Sequence, residues 1–222
     1  IMGVNPKRGS WNDPSRPLAN FMRHTKRGLR VSEAGENTKE MYNQLRERYN
    51  HLMRTDPDSK EAAQLYFVLN KRGWRGSMEH NLQGGLSTPW GGPSGSRKAD
   101  PNRDFDLTPY KRPMHRWRVG NQDFRTTMRQ LGGGSYAYLD PPYPTRQGQY
   151  GQGGFPDELQ EEVRDAALAH RGPVAVSNYA TPEMLDLYED DFDVDILHPP
   201  THGMATKKVT DQPPEMLARR VA

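Results

Sequence analysis

Apolar positions change their period along the 222-residue chain, and the change predicts its elements. Between residues 38 and 73 they recur at helical spacing. Met41, Leu45, Tyr49 and Leu52, with Arg48 beside them, share one face of a helix whose cap is Asn37 or Thr38. Ala62, Ala63, Leu65, Tyr66, Val68 and Leu69 stripe a second helix that begins at Asp58 or Ser59 and stops at Gly73. Farther on the period shortens. Apolar runs bounded by Gly and Pro predict strands over 115–119, 136–139, 173–178 and 192–197, with a last strand within 215–221. Between them lie predicted helices: one capped by Asn121 or Asp123 and carrying Phe124, Thr127, Met128 and Leu131, an acidic one capped by Asp157 and reaching about His170, and a short one opened by Thr181 and Pro182. Strands alternating with helices predict an α/β fold. Residues 1–36 hold few apolar clusters, with Ile1-Met2-Gly3-Val4 and Leu29-Arg30-Val31 the only strand-like scraps, and are expected to be a mostly irregular, basic N-terminal segment, pinned to the body by Phe21 and Met22.

One stretch carries candidate chemistry. Tyr136-Ala137-Tyr138-Leu139 reads as a buried strand, and it ends in Asp140-Pro141-Pro142-Tyr143. The prolines cannot donate ladder hydrogen bonds, so pairing stops there. The strand therefore delivers a carboxylate, carbonyls and a phenol ring to the carboxyl end of the sheet, where open α/β folds bind ligands. An exocyclic amino group can donate to the Asp140 carboxylate and the Pro141 carbonyl while its heterocycle stacks on Tyr143. A Pro-Pro pair by itself is an ordinary turn; the flanking Asp and Tyr at a strand end favour the functional reading.

Composition narrows the class. The chain has no Cys, which excludes disulfides and cysteine-based zinc sites and fits a cytoplasmic setting. Mean hydropathy is −1.01, and 21 Gly and 19 Pro predict long irregular stretches. No apolar run is long enough to span a membrane, and no signal peptide is evident at Ile1. Ile1 is not a usual initiator, so a start farther upstream is expected. Charge is divided sharply. Residues 1–131 carry 24 Lys and Arg against 13 Asp and Glu, while residues 132–222 carry 7 against 15. A basic first half suits a polyanion. Within it, the loop-rich stretch 70–110 interleaves Lys71, Arg72, Arg75, Arg97 and Lys98 with Trp74, Trp90 and Tyr110, a mixture that neutralises phosphates and offers rings to unstacked bases. His198 and His202 lack a third ligand, so no metal site is expected.

Taken in order, several short motifs give the chain a resemblance to Dam-type adenine-N6 DNA methyltransferases over about residues 37–220. They are residues 66–76 from Tyr66 to Gly76, Asn81 with Pro89-Trp90-Gly91, Asn121-Gln122-Asp123-Phe124, the Asp-Pro-Pro-Tyr tetrapeptide, Val176-Ser177-Asn178, and Thr206-Lys207-Lys208-Val209. The resemblance implies a partial Rossmann-like methyltransferase sheet with a helical, loop-rich target-recognition insertion. The domains expected are the segment 1–36, a recognition region over 37–114 and a catalytic α/β half over 115–222. It implies S-adenosylmethionine as cofactor, with Asp123, Phe124 and Asp140 as its contacts, and double-stranded DNA as partner. Asn70, Lys71, Arg72, Trp74, Arg75, Glu79, Asn81, Pro89, Ser177, Asn178, Lys207 and Lys208 become the DNA contacts, and Asp140, Pro141, Pro142 and Tyr143 the catalytic set. Glu79 stands where GATC-reading relatives carry Arg, and Ser77 where they carry an apolar residue. Arg reads guanine and Glu reads cytosine, so GATC is not assumed as the target.

The family's Gly-rich cofactor turn, its following acid and its amino-terminal lysine are not visible. Gly132-Gly133-Gly134 runs into a strand rather than out of one, so it is a turn. Val4-Asn5-Pro6 is the nearest candidate for the end of the family's second strand. Without the first strand, the edge of the Asp-Pro-Pro-Tyr strand is expected to stand open, so that a missing N-terminal part or a second chain completes the sheet or residues 1–36 fold otherwise than as an irregular segment. The function expected is transfer of a methyl group to adenine N6 by base flipping. The alternatives are a non-catalytic or split DNA-binding relative, and methylation of another amino group such as cytosine N4.

Overall fold

A computed structural model describes residues 8–32, 35–81, 83–93, 104–144, 155–197 and 213–221. The chain forms two compact units, Ile1–Phe124 and Arg125–Ala222. Each is mixed α/β, with helices beside small sheets.

The first unit contains β1 (Gly9–Asn12), α1 (Arg16–Lys26), β2 (Arg30–Ser32), α2 (Lys39–Thr55), α3 (Lys60–Arg72), β3 (Asp104–Asp106), α4 (Lys111–Met114) and β4 (Trp117–Gly120). The two long helices follow the apolar period. Thr38 caps α2 by accepting from the Met41 amide, and Ser59 caps α3 by accepting from the Ala62 amide. Gly73 is the C-cap of α3. The core between them holds Tyr42, Tyr49, Leu52, Leu65, Leu69 and Leu86. Tyr42 was absent from the expected stripe, yet it is fully buried and its hydroxyl donates to the Thr88 carbonyl at 3.0 Å.

The expectation that residues 1–36 are irregular is corrected. β1 runs parallel to β4, with Gly9 opposite Trp117, and a Cβ at Gly9 would come within 2.8 Å of the indole. Asn12 locks this pair by exchanging hydrogen bonds with the Gln122 backbone at 2.8 and 3.0 Å. α1 starts with Pro17 in its first turn and buries Ala19 and Asn20. Phe21 stacks on Phe67 at 5.7 Å, as expected of a pinning residue. Leu29 and Val31 join Ala63 and Val68 in a second cluster. These partners lie far away in sequence, which is why the segment shows no local period. Val4-Asn5-Pro6 falls outside the described residues.

The second unit begins within α5 (Phe124–Gln130) and contains β5 (Ala137–Leu139), α6 (Asp157–Ala169), β6 (Val174–Tyr179), α7 (Pro182–Tyr188), β7 (Asp193–Leu197) and β8 (Glu215–Arg220). Its sheet has the order β5-β6-β8-β7; β5 and β6 are parallel, and the other pairs are antiparallel. β6 is the buried centre, with Val174, Ala175, Val176, Ser177 and Asn178 all inside. Pro156, not Asp157, is the N-cap of α6; Asp157 and Glu158 sit in the first turn, where carboxylates suit the helix dipole. β5 is not the buried strand expected. Ala137 is buried, but Tyr138 on the other face is 44% exposed. The reason is its position: among the described residues β5 pairs with β6 alone. Among those residues, too, no helix is long and apolar enough to cross a membrane.

Candidate functional site

β5 ends where the prolines begin, and Asp140 emerges exposed at its carboxyl end, followed by half-buried Pro141, Pro142 and Tyr143. The neighbouring strand supplies the support. Leu139 pairs with Val176, so the next residue of β6, Ser177, lies beside Asp140. The Ser177 hydroxyl donates to Asp140 Oδ1 at 2.7 Å. In turn the Tyr138 hydroxyl donates to Ser177 Oγ at 3.0 Å. The Tyr143 ring meets Tyr179 edge-on, with centroids 4.8 Å apart. Burial pushes the Tyr143 phenol up to about 12, partly offset by a hydrogen bond with Ser177, so this ring is neutral at any ordinary working pH.

A second support holds the loop from below. Gln160 on α6 is fully buried, and its side-chain NH2 donates to the Pro142 carbonyl at 2.8 Å. The Gln160 carbonyl accepts from the Asn178 side chain at 3.0 Å, and the Asn178 carbonyl accepts from the Tyr179 amide at 2.9 Å. The Gln160–Asn178 bond is buried and the bonds to Pro142 and Tyr179 are part-buried, a setting in which an unmade bond is costly. Sequence reasoning missed Gln160. Its signal was spacing: Gln160, Val163 and Ala167 are the buried face of α6, and a glutamine on such a face needs partners. The Pro142 carbonyl is thereby occupied, whereas the Pro141 carbonyl meets no donor among the described residues. The site is an open ledge. A cavity of about 490 Å3 in the same unit is lined by Arg125, Met128, Gly133, His170 and Arg171, at the amino ends of the strands and away from Asp140.

The residues expected at DNA divide into exposed and buried groups. Trp74 is 52% exposed, and the Arg75 guanidinium lies 5.7 Å from the centre of its ring. Arg75 has a φ of 55°, a left-handed backbone that non-glycine residues adopt only under constraint. The constraint is visible on both sides: the Trp74 amide donates to the Pro89 carbonyl at 2.9 Å, and the Gly91 amide to the Arg72 carbonyl at 2.9 Å. Buried Thr88 accepts from the Glu79 amide at 2.8 Å, leaving the Glu79 side chain in solvent. Asn81 accepts from the Gln83 and Gly85 amides and so shapes its own turn. Asn70 donates to the Gly76 carbonyl. Lys71 is exposed, with its ammonium 5.5 Å from the Phe67 ring centre.

Arg72, Ser177 and Asn178 are placed differently from expectation. Arg72 is 1% exposed and donates to the Gly35 and Glu36 carbonyls at 3.1 and 3.4 Å, so it serves the fold and not a phosphate. Ser177 is 5% exposed and Asn178 fully buried, both committed to the internal bonds just described. Asp123 is exposed and Phe124 half-buried, at the end of the first unit. Lys207 and Lys208, like His198 and His202, lie outside the described residues.

A carboxylate braced at a strand end, ahead of two prolines and a held phenol ring, suits an amino group on a flat ring. The family model for D12 class N6 adenine-specific DNA methyltransferases matches residues 5–201. The chain belongs to that family. The match reaches well upstream of residue 37, into β1 and α1, in keeping with their being part of the first unit. A search of curated proteins gives no match. As a D12 class enzyme the protein is an adenine-N6 methyltransferase whose substrate is DNA, which does not favour cytosine N4 as the acceptor.

Proposed function

We propose that Asp140 grips the N6 amine of an adenine extruded from double-stranded DNA. The observation that carries this reading is an exposed carboxylate with one oxygen already held by Ser177. The amine donates to Asp140 and to the Pro141 carbonyl, and the purine stacks on Tyr143. These contacts pull the nitrogen towards tetrahedral geometry and direct its lone pair. S-adenosylmethionine supplies an electrophilic methyl group when bound, and the donor set suits its adenine: Asp123 offers an exposed carboxylate and Phe124 a half-buried ring. Asp140 need not be a strong base, because the amine proton becomes acidic only as the new N–C bond forms. Orientation supplies most of the acceleration. In the first unit, Trp74 and Arg75 are proposed to enter the duplex, with Asn70, Lys71, Glu79, Asn81 and Pro89 around them. Lys207 and Lys208 are proposed phosphate contacts on the resemblance alone.

Asp140→Asn is expected to abolish formation of N6-methyladenine, read by digesting reacted DNA to nucleosides, while DNA affinity stays within about twofold, since positioning and binding are separate terms. Undiminished methylation by this variant would remove Asp140 from the mechanism. A second reading concerns the sheet. β5 has one paired edge among the described residues, and its other edge can accept a strand from a further segment or a second chain. Calorimetry of S-adenosylmethionine with this chain alone tests it: weak but measurable binding is expected, enough for transfer at saturating cofactor, and tight binding would refute the need for a completing strand.

A further inference from the structure

We propose that Ser177 is a positioning residue for methyl transfer, holding one oxygen of Asp140 so that the other is left for the amine, and that Tyr138 sets the direction in which Ser177 donates. The proposal rests on the reading of Asp140 given above.

The geometry follows from the strand pair. Tyr138 on β5 and Asp140 just past its end are two residues apart and so project to the same side. Ser177, across the ladder on β6, touches both. A hydroxyl has a single proton to donate. Ser177 has three acceptors within reach, Asp140 Oδ1 at 2.7 Å, the Leu139 carbonyl at 3.4 Å and the Tyr143 phenol oxygen. The Tyr138 phenol, 3.0 Å away, occupies one lone pair of Ser177 Oγ. That contact favours the rotamer whose proton meets the carboxylate, where the bond is charge-assisted. Asp140 is then held at Oδ1, while Oδ2 has no partner among the described residues. Which oxygen is free decides the direction from which an amine can be gripped, and hence where its lone pair points. A DNA contact by Ser177 is incompatible with its 5% exposure and its occupied hydroxyl.

The test compares Ser177→Ala, Ser177→Thr, Tyr138→Phe and Asp140→Asn in the 222-residue chain. Two readouts are taken: the single-turnover rate of N6-methyladenine formation at saturating DNA, alongside DNA affinity, and the NMR shift of the Asp140 carboxyl carbon, assigned by its loss in Asp140→Asn. Ser177→Ala is expected to slow transfer roughly ten- to hundredfold, the scale of one hydrogen bond to a charged group, with DNA affinity within about twofold. Tyr138→Phe, at a half-exposed site that loses only the phenol oxygen, should slow it roughly three- to tenfold. The Asp140 carbon shift should move in both and return in Ser177→Thr, which keeps a hydroxyl, together with most of the rate. Wild-type rates and unmoved carbon shifts in Ser177→Ala and Tyr138→Phe overturn the proposal. So does a Thr variant as slow as the Ala variant, or a loss confined to DNA affinity. If Ser177→Ala fails to fold, Tyr138→Phe decides alone. Full activity of Asp140→Asn would instead overturn the parent reading, so the two failures are distinguishable.

Discussion

Adjacent residues on α3 show how little side-chain type says about role. Lys71 and Arg72 are both cations in a basic stretch, but one is exposed and the other is 1% exposed, with its guanidinium on the Gly35 and Glu36 carbonyls. Helical geometry separates them by about 100° of rotation, enough to carry one from solvent to core. Arg72→Ala is therefore expected to lower unfolding free energy by about 1–3 kcal/mol, because a buried side chain and its two bonds to carbonyls are lost. Its DNA affinity, corrected for the folded fraction, should keep the wild-type salt dependence. Lys71→Ala should do the reverse: stability unchanged in urea, and a log–log salt slope shallower by about one. Equal salt slopes for the two variants would contradict this division. Arg75 is the other residue whose role hangs on backbone: its left-handed φ falls directly after exposed Trp74, and strain of this kind collects at functional sites.

At the level of elements, the tetrapeptide loop is clamped by secondary structure that does not adjoin it in sequence. α6 contributes Gln160 to the Pro142 carbonyl, and β6 contributes Asn178 to Gln160 and Ser177 to Asp140. Gln160→Ala leaves the part-buried Pro142 carbonyl and the fully buried Asn178 NH2 without this partner. A loss of roughly 2–4 kcal/mol is expected, measured by urea unfolding. Transfer should also slow, because the loop behind Asp140 loses an anchor; a variant as stable and as fast as wild type would show that the clamp is dispensable. The start of the same strand pair is just as tight. A Cβ at Gly172 would lie 2.3 Å from the Ser135 carbonyl, so Gly172→Ala must displace the entry to β5. The helices were legible in sequence because Thr38, Ser59 and Thr181 cap them locally and their apolar faces repeat. β1 and α1 were not, and β2 only as the strand-like Leu29-Arg30-Val31, because their partners lie far along the chain and no local signal marks a long-range pair.

For the whole molecule, buried phenols govern the response to alkali. Burial raises Tyr49 and Tyr188 above their ordinary value of 10.0, and Tyr143 to about 12. The unfolded chain gives up these protons first, so the native state binds more of them and stability falls as pH rises. Stability should be at its plateau below pH 10 and decline steadily towards pH 12, read as urea midpoints across that range. Tyr49→Phe should flatten the decline; a midpoint that holds constant to pH 12 would mean that these phenols are already solvated. The division of charge acts at the same scale: the basic excess lies in residues 1–131, most of which form the first unit, the one that presents Trp74 and Arg75.

Read alone, the sequence established the α/β class, the principal helices, the strand that ends in Asp140 and the family resemblance, since each depends on short-range spacing: periodicity, caps, and prolines that end a ladder. Tertiary structure decided what those residues touch. It placed Arg72 and Asn178 inside, turned Ser177 towards Asp140, brought Gln160 beneath Pro142 and left β5 with one paired edge among the described residues. Burial and hydrogen-bond partnership are properties of chains folded back on themselves, and a polar side chain carries no local mark of which buried group it will meet.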